Sequence, residues 1–484
     1  MKSKQTLFQR VYDDLHEQIV TGRLAYGTVL PSMRMLCDSY HVGIRTMKDV
    51  MARLKAEGYL HTEERKHAVV IYDRSKADQA SAIHSVLEYR TCILDVFDTM
   101  ALIMPAIFSL CASVCSDYAL EKWRPVFKNL HRKDDAVKTK LLLSFLYDLL
   151  EQSNNLLLRD LYASLELYAK IPLFQDFEGL KDLATTYNDF NGAKWPIEAL
   201  LARDAPEIER RLGVMYEAVG HGIRLLLGQL SQAFPHVPER ASATFTFDIR
   251  YGRDAFYVQI VQDLIDQIGA GVYRVGTYLP PEAALARQYR VCVSTVRRAL
   301  AMLNEIGFAK TYNAKGTMVL WQEDDAIAQC MKNKKLKLET LLYLNGLQLM
   351  AVIIKPAADL AFPAISGADK DELRRQMQDP KFLLFEALVQ CVIRRQTLPP
   401  FKIILEKTSE LIVGGYYYSM LYEGPSSDEA LTGLTRAAFN SLCSGDAPLF
   451  AELLSKCYGH ILGYVRDYMV KCGLTEAKKI VTPQ

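Results

Sequence analysis

The chain has 484 residues, of which 50% are hydrophobic and 24% charged, with a formal net charge of +2. This composition excludes a disordered polymer, a small disulfide scaffold and a uniformly basic nucleic-acid coat; the length suits about four packed domains. Ten cysteines are scattered without a Cys-x-x-Cys spacing, so they read as buried small hydrophobes of a reducing compartment, the cytoplasm.

The positive charge is local. Residues 1–75 hold 12 Lys/Arg against 9 Asp/Glu, and residues 249–321 hold 9 against 5, so the remainder is net negative. The same two stretches repeat each other. Gly22, Gly27-Thr28, Leu30-Pro31, Leu36, Tyr40, Val42, Thr46, Leu54, Gly58 and Val70 recur, 249 positions later and without a gap, as Gly271, Gly276-Thr277, Leu279-Pro280, Leu285, Tyr289, Val291, Thr295, Leu303, Gly307 and Val319. A period that long marks a duplicated domain.

Taken in chain order, the first copy (1–75) predicts helices followed by a hairpin. Its third helix begins near Arg45 and stops at Gly58, and its hairpin runs from about Tyr59 to Tyr72. Residues 78–235 are patterned as helix almost throughout. Within them Met100 to Cys115 is apolar but short, follows Asp95 and Asp98 and contains Pro105, which predicts a buried core helix and no membrane span. Residues 236–254 carry no helical pattern and read as a linker.

The second copy (255–321) predicts a helix over Tyr257–Ile268, stopped by Gly269-Ala270-Gly271, and a short helix opened by Pro281-Glu282. Val291 to Ser294 turns the chain, with Ser294 as the expected N-cap of a third helix ending at Gly307. Strands Phe308–Tyr312 and Thr317–Trp321 flank the turn Asn313 to Gly316. Residues 325–475 are again patterned as helix. The expected fold is mostly α with small β wings: two winged helix-turn-helix domains, each followed by an all-helical domain.

A helix-turn-helix presents the first turn of its last helix to the DNA major groove. The candidate DNA-binding residues there are Arg45, Thr46 and Lys48 in the first copy, and Ser294, Thr295, Arg297 and Arg298 in the second. Guanidinium can take a guanine edge in two hydrogen bonds, whereas Lys and hydroxyl groups mostly hold phosphate. The wing tips add Lys66 and His67, and Lys315 and Gly316, suited to phosphate or the minor groove. The partner expected is double-stranded operator DNA.

The set Gly-Thr-x-Leu-Pro, Val-x-x-x-Thr-x-(Lys/Arg) and Leu-x-x-x-Gly, present in both copies over about 65 residues each, resembles the GntR family of bacterial transcription regulators. The chain departs from the family in three places. Ile44 and Val293 stand where it usually has Arg. Its acid-Arg pair is split between Met33-Arg34 and Glu282-Ala283, which adds Arg34 to the candidates. The wing glycines are lost at Arg65-Lys66-His67.

In that family a helical module after the winged helix often senses a small molecule. Phe145, Leu149, Ser153 and Asn155, with Asp204, are similar to the FadR-like, FCD type of effector domain; in the second half Phe385 is the matching anchor. Many such domains hold a metal through Asp and His. Here Leu142 and Leu146 occupy two of those positions, Glu386 follows Phe385, and His221 and His460 do not correspond, so no metal or other cofactor is expected. The helical segments echo each other through Pro105 and Pro356, and through Asp204-Ala205-Pro206 and Asp446-Ala447-Pro448, with Tyr216 and Tyr458 twelve residues on. Tyr416-Tyr417-Tyr418 reads as packing at a helix end.

No nucleophile elbow, P-loop or dinucleotide fingerprint is present, and an enzyme is not expected. The reading is a bacterial, cytoplasmic regulator that responds to an unknown small-molecule effector. Its two halves would pair within one chain as a pseudo-dimer, with a homodimer as the other arrangement. The alternative is a DNA-tethered protein-interaction scaffold whose helical domains have lost ligand binding.

Overall fold

The computed structural model describes residues 7–20, 24, 30, 33–40, 42–62, 68–72, 79–128, 130, 135–169, 194–239, 245–247, 256–269, 271–320, 331–377, 383–413 and 425–483. The fold is mostly helical, with two two-stranded antiparallel sheets among these residues. Gly22, Gly27-Thr28, Pro31, Arg65 to His67, Trp321 and Tyr416 to Tyr418 lie outside them.

The duplication is reproduced element by element. Helices Leu7–Val20, Met33–Tyr40 and Ile44–Ala56 and strands Leu60–His61 and Val69–Val70 form the first winged helix. Helices Phe256–Gly269, Glu282–Tyr289 and Val293–Glu305 and strands Ala309–Tyr312 and Gly316–Val319 form the second. Hydrogen bonds repeat at the same offset. Leu30 N donates to Ala68 O and Leu279 N to Thr317 O, each at 2.8 Å, so the backbone of the Leu-Pro run is pinned to the wing. The leucines of that run are buried in the module cores.

Each third helix is rotated by its apolar stripe. Met47, Val50, Met51 and Leu54 are buried in the first copy, and Val296, Ala299, Leu300 and Leu303 in the second, a three- and four-residue spacing that leaves the opposite face to solvent. Gly58 and Gly307 then end these helices at the same left-handed φ of +82°, which admits glycine without strain. The expected N-cap at Ser294 is corrected. The residue with extended backbone is Cys292 (φ −73°, ψ 152°), and Ser294 already lies inside the first turn.

The helical parts carry a second internal echo at an offset of 242. Asp204 Oδ1 accepts from Glu207 N at 3.2 Å, and Asp446 Oδ1 from Leu449 N at 3.1 Å, so each Asp-Ala-Pro run caps a long helix, Ala205–Ala233 and Ala447–Lys471. The residue before each Asp, Arg203 or Gly445, is left-handed. Ile208 and Phe450, Leu212 and Leu454, and Tyr216 and Tyr458 are buried in parallel. Pro105 and Pro356 both sit inside long helices, Arg90–Val114 and Lys334–Ala361. Helices Arg90–Val114 and Leu336–Ala364 are long and apolar enough to cross a membrane, but 67% and 78% of their most apolar stretches are buried inside the protein.

The chain forms two compact units, and the first helical segment contributes residues to both. One unit comprises Met1–Ala101, Tyr162–Trp195 and Val214–Arg253. It contains the first winged-helix core and a helical cluster in which Val86, Ile93 and Phe97 pack with Ile223, Leu226 and Leu227. Part of the stretch expected as a bare linker is anchored here. Val237, Phe245 and Phe247 are buried, Phe245 packs 5.3 Å from Tyr168, and Glu239 binds Thr91 N and Arg90. Burial at every second position, Phe245 and Phe247, is a short alternation that a search for helical period passes over.

The other unit comprises Leu102–Leu161, Pro196–Gly213 and Asp254–Gln484. Phe145 packs against Trp123 and Phe127 at ring distances of 5.4 and 5.2 Å, and Leu142, Leu146 and Leu149 are buried beside it on the same helix. The turn after that helix is built by Ser153 and Asn155. Ser153 Oγ donates to Leu150 O, and Asn155 Oδ1 accepts from Leu157 N at 3.0 Å. The Asn155 amide also donates to Asn345 O at 3.1 Å and to Gln348 Oε1 at 2.8 Å, and Gln348 Nε2 donates to Val481 O at 2.7 Å. These side chains are buried, so their hydrogen bonds join the first and second helical segments inside this unit.

Two stability outcomes follow. Gly58→Ala and Gly307→Ala place no Cβ within 4 Å of any atom, so their cost is backbone strain alone, about 1–2 kcal/mol each by denaturant titration. Asn155→Ala strands buried amide partners and is expected to cost about 1–3 kcal/mol by the same measurement.

Candidate nucleic-acid interface

Each winged helix exposes the face opposite its apolar stripe. In the first copy Arg45 and Lys48 are exposed and Thr46 is half-buried at the start of helix Ile44–Ala56. In the second, Ser294, Arg297 and Arg298 are exposed and Thr295 is half-buried at the start of helix Val293–Glu305. Arg34 lies in helix Met33–Tyr40, its side chain outside the description, and Lys66 and His67 lie outside the described residues.

The described wing is the second. Lys315 is exposed at its tip, in a three-residue turn between Tyr312 and Gly316 that is closed by left-handed Ala314 and by Gly316 at φ +105°. The wing is tied to the recognition helix through side chains: Asn304 Nδ2 donates to Thr311 Oγ1 at 2.8 Å, and Thr311 Oγ1 lies 2.9 Å from Thr317 Oγ1. These bonds join the wing strands to the C-terminal end of the recognition helix.

Position alone does not make the two helices alike. Arg297 Nε donates to Glu282 Oε2 at 2.7 Å, bridging the recognition helix to the helix before it. The first copy has Met33 at the position of Glu282, so it lacks that acid. Arg298 lies over the Tyr257 ring at 4.4 Å, its guanidinium drawn to the first helix of the module. Both contacts depend on how helices cross, and residue spacing does not reveal them. The split acid-Arg pattern at Glu282-Ala283 was the one sequence sign that this carboxylate needed another cationic partner.

Cys292, exposed at the head of the same helix, was passed over in the sequence. Its Sγ lies 3.1 Å from Ser294 Oγ and 3.0 Å from Thr295 Oγ1. Hydrogen bonds from Ser294 and then Thr295, joined by the Thr295 backbone amide, lower its thiol to about 7. Burial instead pushes the Cys111 thiol up to about 12 and Cys457 up to about 11.

Among the described residues no group of three or more His, Cys, Asp or Glu converges as a metal site. Leu142 and Leu146, where the resemblance places ligands in related domains, are packed in the core. His221 is exposed, and His460 Nε2 is buried without a hydrogen-bond partner among the described residues.

Three helices, a tight turn, a hairpin wing and a cationic helix start define a winged helix-turn-helix, a class of DNA-binding module. Residues 7–70 and 256–319 match the bacterial regulatory proteins of the gntR family, so the chain carries the GntR-family DNA-binding module twice. Over 74 residues it is 36% identical to the probable fructoselysine utilization operon transcriptional repressor of Escherichia coli K12, covering 15% of this chain and 30% of that one. It is 36% identical over 67 residues to the HTH-type transcriptional regulator TreR of Bacillus subtilis 168, covering 14% and 28%. The chain therefore spans under a third of the length of these relatives. Among solved structures, Streptococcus agalactiae GntR aligns at 14% identity over 43% of this chain and 99% of that one, with a TM-score of 0.20, too low to inform on shared architecture.

The thiol contrast is directly measurable. Iodoacetamide should label Cys292 before Cys111 and Cys457 in the native protein, with a rate that climbs as pH rises through about 7 and then levels. Peptide mass mapping over a pH series checks this; equal labelling of the buried thiols under native conditions would contradict the packing described.

Proposed function

We propose that this chain is a sequence-specific DNA-binding transcription regulator of GntR type. The observation that carries the reading is the paired module: two winged helices whose three helices coincide in their bounds at one offset, each with exposed cations within the first two turns of its recognition helix. Arg45, Thr46, Lys48, Ser294, Thr295, Arg297, Lys315 and Gly316 are assigned to DNA contact, with Arg34 added on the family pattern and Lys66 and His67 for their place at the first wing tip. Arg298 is assigned a supporting place, because Tyr257 holds its guanidinium.

The domain division proposed is 1–75 and 255–321 for DNA binding, and 78–235 and 325–475 for helical modules that respond to a small-molecule effector in the cytoplasm. Relatives named as operon repressors support the regulatory role for the matched modules. We read the chain as a pseudo-dimer, a role that two-chain regulators fill with one winged helix from each subunit. The buried Asn155 bridge between the two helical segments supports pairing within one chain. Because Gly43-Ile44-Arg45-Thr46 differs from Cys292-Val293-Ser294-Thr295, the operator should be an imperfect palindrome with half-sites roughly 34–36 Å apart.

A Lys48→Ala, Arg297→Ala double variant tests the DNA assignment. Against a duplex selected from a random pool, it should lose specific affinity, with Arg297→Ala alone costing about 1–3 kcal/mol if it reads a base edge. Undiminished affinity of the double variant removes these helices from the interface. Mass measurement with a single operator duplex tests the pairing: one chain per duplex is expected, and an obligate two-chain complex on a symmetric site refutes it. A thermal-shift screen of metabolites should find a specific stabiliser; its absence would favour helical modules that serve assembly alone.

A further inference from the structure

We infer that the first DNA-binding module reads a thymine 5-methyl group through Ile44. The inference rests on the proposed DNA-binding function and adds a specificity-determining residue to it. Ile44 opens the recognition helix Ile44–Ala56, and it is 56% exposed. A single exposed aliphatic side chain is ordinary on a protein surface. Its position here is not: it stands on the helix end that carries exposed Arg45 and Lys48, where a groove floor replaces solvent.

Among the described residues nothing covers that end. Gly43, which precedes Ile44 in extended conformation, has no atom within 4 Å of where a Cβ would stand. DNA can therefore approach both the backbone of Gly43 and the side chain of Ile44 without displacing anything in the module. Polar groups line most of a base-pair edge in the major groove, and the one apolar group it presents is the thymine methyl. A β-branched aliphatic with two cations just after it matches that group; the cations hold nearby phosphates while the aliphatic meets the base.

The second module differs at this place. Val293 is one methylene smaller and half-buried, and it follows Cys292 rather than glycine. The two half-sites should therefore differ in their demand for thymine: strong opposite Ile44 and weaker opposite Val293. The usual family arginine at this register would instead hydrogen-bond, so the substitution exchanges a polar contact for an apolar one.

The test uses the full chain and an operator duplex selected from a random pool. Each thymine is replaced in turn by deoxyuridine, which removes the 5-methyl and leaves every hydrogen-bonding group in place. At one thymine of the first half-site the wild-type protein should lose about four-fold in affinity, the worth of burying one methyl-sized group. Ile44→Ala should bind the thymine and deoxyuridine duplexes equally, Ile44→Val should keep part of the difference, and Val293→Ala should leave that position unaffected. Wild-type binding with no deoxyuridine penalty at any thymine of the first half-site, or a penalty that persists in Ile44→Ala, overturns the inference while leaving the DNA-binding function intact. Failure of the wild type to bind any duplex overturns both.

Discussion

The burial of one apolar stripe on each recognition helix is the constraint on which the DNA-binding half of this molecule depends. Met47, Val50, Met51 and Leu54, or Val296, Ala299, Leu300 and Leu303, fix the rotation of the helix about its own axis. Fully burying a side chain of this size is worth about 1.5–3 kcal/mol, so a wrong rotation would forfeit several such terms at once. Once the rotation is set, the cations at the helix start have only one direction left. The left-handed glycine behind the helix and the Leu-Pro run pinned to the wing then place the second contact surface.

The same frame carries two different exposed surfaces. In the second module, charge is managed internally: Arg297 is bridged to Glu282, and Arg298 rests on Tyr257. The first module has neither an acid at the corresponding position nor an arginine at that of Arg298. It presents Arg45, Lys48 and an exposed isoleucine instead. The exposed ion pair adds little to stability, since both partners are solvated, but it fixes the resting position of the Arg297 guanidinium. Duplication followed by divergence on one exposed face gives two modules that share a core and differ in the residues they expose.

In the helical parts, packing has diverged more than capping. The Asp-Ala-Pro starts of helices Ala205–Ala233 and Ala447–Lys471 keep the same hydrogen bond and the same left-handed residue before it. The core polar network does not repeat in this way. Asn155, Asn345 and Gln348 are buried together, with the Asn155 amide donating to the Gln348 side chain and to the Asn345 backbone carbonyl. A buried amide tolerates few alternative pairings, because any shift strands a donor or acceptor in a low-dielectric core. That network sets which surfaces of the two segments meet.

The sequence by itself determined the duplicated modules, the order of their helices and wings, the glycine stops and the register of cations on the recognition helix. All of these follow from local chemistry: period, φ preference and turn composition act within a few residues of one another. It placed the start of helix Val293–Glu305 two residues late, because a serine N-cap is a statistical preference and the extended backbone at Cys292 decides the boundary. It read residues 236–254 as unpatterned, although Val237, Phe245 and Phe247 are anchored by contacts with distant helices. Only the tertiary structure decided that Glu282 would hold Arg297, that Tyr257 would hold Arg298, and that Asn155 would reach Asn345 and Gln348 nearly two hundred residues away. Those partners are selected by helix crossing and burial, which depend on the whole packed core and leave no period in the chain.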